Sequence, residues 1–259
     1  MKRLGGGRGG PERSDGQPVG RLEIRERLSL VQTIGLVGGM SWESSLVYYR
    51  DLNLGVQERL GGFSSPKLVL SAVDFAELTA LEDAERWDRI GQLLAEAARG
   101  VERAGADFLV LCTTTFHKVV DEVAAAVDIP LLHLADVVAE AVTQAGVTKV
   151  GLIGTTVAMS HSFFSDRMAT HGVEVVVPAA EHHDFLNTAI YDELVHGQVV
   201  DQTRRQVVTI VDELWDAGAQ GVLVGCTELE LLISQSDIDL PAFPCTTLHV
   251  KAALDRALA

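Results

Sequence analysis

The feature that most constrains this chain is a repeat within it. Thr33-Ile-Gly-Leu-Val-Gly-Gly-Met40 is matched later by Lys149-Val-Gly-Leu-Ile-Gly-Thr-Thr156, with Gly35 on Gly151 and Gly38 on Gly154. A second pair follows in the same order: Gly105-Ala-Asp-Phe-Leu-Val110 and Gly218-Ala-Gln-Gly-Val-Leu223. The two segments lie 70 residues apart in the first copy and 67 in the second. Two chance matches in one order at nearly one spacing are improbable, so the chain reads as two related halves. Each matched segment is a short apolar run beside glycine, the signature of a buried parallel strand.

Between these runs the periodicity turns helical. Strands are expected at 33–37, 67–73, 108–111, 149–153, 173–177 and 221–224, with a further apolar run at 130–134. Helices are expected at 44–60, 87–104, 116–127, 136–145, 161–170, 183–195, 201–217 and 246–258. Strands alternating with helices imply crossover connections and open parallel sheets covered on both faces. The expected fold class is therefore α/β: two similar Rossmann-like parallel-sheet halves related by the internal repeat. The first half comprises 33–130 together with about 232–259, since the last helix returns to it, and the second comprises 131–231. A ligand is expected in the cleft between the strand C-termini of the two halves.

Composition narrows the classes of function. With 47% hydrophobic and 22% charged residues in 259, the chain has enough apolar material for a large core. A net charge of −15 argues against a phosphate-tracking or anionic-membrane surface, so neither nucleic acid nor membrane is an expected partner. No apolar run reaches the ~18–20 residues of a membrane-spanning helix. Three widely spaced cysteines, Cys112, Cys226 and Cys245, suit a reducing cytoplasm and function as thiols. Residues 1–32 stand apart, with seven basic and four acidic side chains and a Gly/Arg/Pro-rich start that contains no secretory apolar block. They are expected to form a disordered tail, with 21–32 as a short helix or strand.

Extending the second repeat brings chemistry into register. Eight residues past Gly105 is Thr113, and eight past Gly218 is Cys226. Thr113-Thr114-Thr115 thus occupies in the first half the place of Cys226-Thr227-Glu228 in the second. Each segment follows a strand and precedes a helix, where backbone N–H groups and short hydroxyls make an anion cradle. A thiol at one cradle facing a hydroxyl at the other can flank one small carboxylate. Met40 and Thr155, at the ends of the repeated strands, are further candidates for the cleft wall. No GxGxxG or GxxxxGK[ST] segment supports a nucleotide cofactor. Glu181, His182, His183 and Asp184 read as a solvated helix start rather than a metal site.

Three segments resemble the cofactor-independent aspartate/glutamate racemases of the Asp/Glu/hydantoin racemase superfamily. They are Gly35-Leu-Val-Gly-Gly-Met-Ser-Trp-Glu-Ser-Ser45 with Tyr48-Tyr49-Arg50, Leu111-Cys-Thr-Thr-Thr-Phe-His-Lys118, and Val224-Gly-Cys-Thr-Glu228. The similarity extends over about 33–259, and the Gly-Cys-Thr-Glu segment resembles the aspartate branch. The resemblance implies racemisation of aspartate or glutamate in a homodimeric enzyme. Two bases on opposite faces of the α-carbon would act without pyridoxal phosphate, metal or any other cofactor. The amides of the cradle would stabilise enolate-like charge on the carboxylate. A thiolate base is expected, its pKa brought below the reference ~8.5 by a helix N-terminus.

In the family pattern the first base lies four residues before a histidine, which in this chain is Thr113 before His117. The repeat independently pairs Thr113 with Cys226 and Cys112 with Gly225, and strand alternation turns Cys112 toward the core. The expected catalytic pair is therefore Thr113 and Cys226, with Met40, Thr114, Thr115, Thr155, Thr227 and Glu228 contacting substrate. A Thr/Cys pair resembles a branch favouring L-aspartate and L-glutamate. Thr114 stands where most members have Asn, which alters one substrate contact. The segment around Phe185 offers no Lys or Arg for a side-chain carboxylate. A maleate isomerase, a malonate-type decarboxylase, or a binding protein without catalysis on the same scaffold remains open at this stage.

Overall fold

The computed structural model describes residues 31–259. The expectation for the tail falls mainly on residues 1–30, outside those described. Gln32 donates its N–H to the Ala257 carbonyl at 3.0 Å, tying the entry of the fold to its last helix.

Among the described residues, seven strands form two parallel sheets. The first has the order β2-β1-β3, with β1 Ile34–Gly38, β2 Leu68–Ala72 and β3 Phe108–Leu111. The second has the order β5-β4-β6-β7, with β4 Lys149–Ile153, β5 Glu174–Val176, β6 Val222–Val224 and β7 Ala242–Pro244. The repeat is written into the strand register. Gly35 pairs with Leu109 in the first sheet, and Gly151 with Val222 in the second, the equivalent pair. Where the second half has β7, the first has only a bridge between Leu109 and Leu131, so the run 130–134 is an abortive strand.

Helices cover both faces. They are α1 Trp42–Leu60, α2 Phe75–Asp83, α3 Trp87–Arg103, α4 Val120–Ala124, α5 Leu134–Gln144 and α6 Thr156–Ser160. After these come α7 Phe163–Thr170, α8 His183–Thr188, α9 Asp201–Asp216, α10 Leu229–Leu232 and α11 Cys245–Ala257. Helix α3 carries its apolar residues Ile90, Leu94, Ala98 and Val101 on one stripe, all buried against the first sheet. Helix α9 does the same for the second sheet with Val207, Ile210, Val211 and Leu214. Each fully buried aliphatic side chain of this kind contributes roughly 1.5–3 kcal/mol. Both helices stop in the same way, at Gly105 and Gly218, whose φ of 94° and 88° only glycine adopts without strain. Gly35 and Gly151 make the helices' close approach possible, since a Cβ there would run into Val101 and Leu214 respectively.

The two halves exchange helices. Helix α5 follows the first sheet but packs in the second half's core with Val150, Leu152 and Phe243. Helix α11 follows the second sheet and packs Val250, Ala253 and Leu254 against Tyr48, Leu52 and Val56 of α1. The return to the first half begins at Cys245 rather than near 232. Residues 229–244 stay with the second sheet, through β7 and through Leu229, Leu232, Ile233, Ile238 and Leu240 in its core.

Two helices expected as single pieces are divided, and a third is found in one piece behind an additional short helix. Residues 116–127 form a 3₁₀ helix, Thr115–Val119, and then the single turn α4. Residues 161–170 are preceded by a separate helix, α6, begun by Thr155 as its N-cap, the hydroxyl accepting from the Ala158 N–H at 3.2 Å. Residues 183–195 pass from α8 into a π turn, Ala189–Glu193, and then a 3₁₀ turn, Leu194–His196.

Candidate active site

The loops that follow β1, β3, β4 and β6 meet at one cleft between the halves, the position at which open α/β sheets hold ligands. All eight residues singled out from the sequence line it: Met40, Thr113, Thr114, Thr115, Thr155, Cys226, Thr227 and Glu228. The cleft and its mouth together hold about 410 Å³ free of protein atoms. It is a narrow space, matched to a small ligand.

On the first-half side, strand alternation separates two neighbours. Cys112 is fully buried in the core with Ile34, Leu36 and Tyr48, and burial raises its thiol pKa far above the ordinary value. Thr113 turns the other way and lines the cleft. The loop is pinned from behind by His117. The Nδ1–H of His117 donates to the Thr113 carbonyl at 2.7 Å, and its Nε2 accepts from the Leu134 N–H at 3.3 Å. These two bonds define a neutral imidazole, and burial holds its pKa well below that of a free histidine. Thr115 reaches across to the other half, its hydroxyl 2.9 Å from that of Thr155.

The second-half side is built around a carboxylate. Glu228 is buried, with 5% of its surface exposed. The hydroxyls of Ser41 and Ser44, at the start of α1 in the opposite half, each donate to its Oε1 at 2.9 Å. The Cys226 thiol donates to its Oε2 at 2.8 Å. Glu228 was expected to meet substrate; in the structure both of its oxygens are already engaged by the protein. Thr227 lies 3.1 Å from the Thr246 hydroxyl of α11.

This arrangement corrects the expectation of a thiol acidified by a helix. Cys226 has its pKa raised well above the ordinary value, by burial first and by the Glu228 carboxylate second. Backbone N–H groups of Glu228 and Leu229 act in the opposite direction and are outweighed. Helix α10 is a single turn of four residues, too short for aligned peptide dipoles to build a useful potential. Cys226 therefore rests as a thiol, with its proton directed at a carboxylate.

The remaining walls come from residues that sequence reasoning had not selected. Phe75 at the start of α2 stacks on Tyr191 of the π turn, ring centroids 6.3 Å apart, so one aromatic from each half closes the cleft. Ile190 and Val195 complete an apolar side. Ser41 did carry a signal, as a serine immediately before an amphipathic stretch; it caps α1, accepting from the Ser44 N–H at 3.2 Å. Nothing in the pattern showed where its hydroxyl proton would go. Elsewhere, His182 pairs with Glu213 at 2.8 Å and His183 with the Pro178 carbonyl at 3.0 Å. Cys245 is buried at the start of α11.

Known proteins share both the sequence pattern and this architecture. An Asp/Glu racemase candidate from Yersinia pestis is 41% identical, with 88% of this chain and 100% of that one covered at a TM-score of 0.82. An aspartate racemase homologue from Pyrococcus horikoshii OT3 is 32% identical, with 87% and 99% covered and a TM-score of 0.77. An aspartate racemase from Picrophilus torridus, at 16% identity and a TM-score of 0.69 over 87% and 94%, shares the fold. The profile of the Asp/Glu/hydantoin racemase family matches residues 37–253, from the end of β1 into α11 and across both cradles. Two repeated halves, a cleft with Thr113 and Cys226 at equivalent strand ends, and that match across both identify the chain as an isomerase belonging to the Asp/Glu/hydantoin racemase family.

Proposed function

We propose that this protein racemises aspartate or glutamate, the L form preferentially, by transferring a proton at the α-carbon between two faces without a cofactor. The observation that carries this reading is the equivalence of Thr113 and Cys226. The paired registers Gly35–Leu109 and Gly151–Val222 bring both residues to the same point of the repeat, and both line one narrow cleft. A substrate carboxylate held between the cradles presents its α-carbon to a hydroxyl on one side and a thiol on the other. The Thr115 N–H, in the first turn of its 3₁₀ helix, lacks an intrahelical partner and is free to meet carboxylate charge that grows as the α-proton leaves.

The chain's own residues supply each part. Cys226, as thiolate, removes the α-proton on its face. Thr113, or a water it positions, returns a proton on the other. Thr114, Thr115, Thr155 and Thr227 contact the substrate's carboxylates, and Met40, Phe75 and Tyr191 exclude water. Among the described residues, none that lines the cleft is a lysine, the side chain that an aldehyde cofactor would need to form a Schiff base. The preference for the L form and for dicarboxylic substrates rests on resemblance to the Thr/Cys branch.

A homodimer in the cytoplasm accompanies this reading. Helix α1 leaves Trp42, Leu46 and Tyr49 exposed on one side, an apolar face of the kind that a second copy covers. The three buried cysteines are free thiols. The direct test is α-proton exchange of L- and D-aspartate and glutamate in D₂O, followed by NMR. Exchange is expected; ligand-induced thermal stabilisation without exchange would instead mark a binding protein.

A further inference from the structure

We infer that Glu228 is the proton store for Cys226: it takes the thiol proton when substrate arrives, and Ser41 and Ser44 of the opposite half hold it in the orientation that receives it. The inference rests on the reading of Cys226 as the base and adds how that base is made active.

The geometry supplies the argument. A base for the α-carbon must first lose its own proton. The nearest acceptor to Sγ is Glu228 Oε2, at 2.8 Å. Oε1 of the same carboxylate accepts from two hydroxyls, both from the first half. Those two bonds fix the rotamer that aims Oε2 at sulfur, and they exist only when the start of α1 lies against the loop after β6. Burying a carboxylate is costly unless its lone pairs are occupied, which explains why two serines converge on it. The ionisable groups facing Cys226 are Glu228 on its own loop and Tyr191 on the π turn. Ser41, Ser44 and Thr113, from the first half, are neutral.

The proton count closes. The S–H bond of Cys226 breaks as an O–H bond forms on Glu228, leaving thiolate and carboxylic acid. The thiolate then takes the α-proton, so S–H forms as C–H breaks and the electron pair stays on carbon. On the opposite face a water positioned by Thr113 protonates carbon and becomes hydroxide. Glu228 finally releases its stored proton, which neutralises the hydroxide, and the thiol–carboxylate pair is restored. The substrate ammonium, brought in with the carboxylate, favours the first transfer by stabilising the thiolate it approaches.

Two variants and one chemical readout test this. Glu228→Gln keeps the shape and an oxygen for the serine hydroxyls but holds no proton; α-proton exchange should fall at least a hundredfold with the melting temperature nearly unchanged. Ser41→Ala with Ser44→Ala leaves the carboxylate in place but loosely aimed, and a smaller loss, about tenfold, is expected. The pH dependence of Cys226 alkylation by iodoacetamide, read peptide by peptide, separates proton storage from mere packing. In Glu228→Gln the midpoint should move to lower pH while turnover collapses, because the thiol no longer faces a negative charge. A glutamine variant exchanging within threefold of wild type, or an unchanged or raised alkylation midpoint, overturns the inference. Should Glu228→Gln fail to fold, the serine double variant decides, since wild-type activity there removes the requirement for the cross-half hold. Loss of exchange in Cys226→Ser alongside an active Glu228→Gln would sink the proton store and leave the base assignment standing. An active Cys226→Ser would sink both.

Discussion

The loop after β3 and the loop after β6 occupy equivalent places in the repeat, yet only their backbones are alike. The first presents Thr113 and is pinned by His117, whose Nε2 receives the Leu134 N–H at the start of α5. The second presents Cys226, and the residue in the register of His117 is Glu230. Glu230 receives the Thr246 N–H at 2.7 Å and the Thr247 N–H at 3.3 Å at the start of α11. In both halves, then, a side chain four residues beyond Thr113 or Cys226 holds the first turn of the helix that crosses to the other half. One half performs this with a neutral imidazole, the other with a carboxylate. The structural task is conserved across the repeat while its chemistry diverged, and the same holds for the reacting positions themselves.

If reactivity resides in the second loop, the largest effect must come from there. Cys226→Ser should preserve the fold, because the change is small, and lower exchange by more than about a thousandfold, a loss of ~4 kcal/mol in barrier terms. Retention of a tenth of the wild-type rate would remove Cys226 from the base role.

The histidine cluster behind the first loop and the Glu230 anchor of the second should respond oppositely to acid. His249, in the same buried cluster as His117, receives the Tyr48 hydroxyl proton at Nδ1 and donates from Nε2 to the Leu132 carbonyl. Burial lowers its pKa from 6.5 to about 4. The folded state therefore resists protonation that the unfolded chain accepts, and stability is lost as pH falls from 6.5 toward 4. Glu230 is the reverse case, raised by burial from 4.5 to about 7. Its folded form retains a proton that the unfolded chain releases, so its contribution is present below pH 4.5 and lost as pH rises through 7. Each shift corresponds to about 3 kcal/mol to order of magnitude, and between pH 4.5 and 6.5 they partly cancel. Glu230→Gln should expose the histidine effect: denaturant midpoints measured from pH 7 to 4.5 should fall more steeply than in wild type. Parallel curves for the two proteins would contradict the opposing contributions assigned to His249 and Glu230.

The first loop can be tested against its own neighbour. Thr113→Ala should slow turnover by about a hundredfold, ~2.7 kcal/mol. Cys112→Ala should leave turnover nearly intact and lower stability by about 1 kcal/mol, as for a small cavity in a packed core. The reverse ranking would mean that the repeat register is displaced by one residue and that Cys112 is the reacting group.

How much of this was legible beforehand follows from what patterns encode. The repeat carried the two-sheet architecture, the strand ends and all eight cleft residues, because glycine spacing and apolar runs are local signals. Helix α2 was missed, since Phe75-Ala-Glu-Leu-Thr-Ala-Leu-Glu-Asp83 is short and buries only Leu78. Strand β7 was missed because three residues beside Pro241 give no periodicity to read. The state of the Cys226 thiol was misjudged for a different reason. Position before a helix is visible in sequence, but the length of that helix and the direction of the Glu228 side chain are not, and the carboxylate outweighs the amides.

The smallest expected effect is also the most specific, a change in direction rather than rate. A threonine hydroxyl does not ionise appreciably near neutral pH, so Thr113 can position a water or hand back a proton but cannot strip one. Cys226 directs its proton at a carboxylate, and on the proposed reading it is the group that begins the reaction. The enantiomer whose α-hydrogen points at Cys226 should exchange quickly, and by resemblance to the Thr/Cys branch that is the L form. The free enantiomers have equal energies, so the enzyme cannot bias their equilibrium, and the asymmetry must appear in the two exchange rates. Thr113→Cys places a thiol in the first loop but without a partner to receive its proton. The residue in the register of Glu228 is Thr115, whose hydroxyl is already shared with Thr155. The variant should therefore raise exchange from the D side only a few-fold, and adding Thr115→Glu should raise it further. Equal exchange of D- and L-aspartate by the wild type, with a ratio unmoved by Thr113→Cys, would mean that the two loops do not serve opposite faces of one α-carbon.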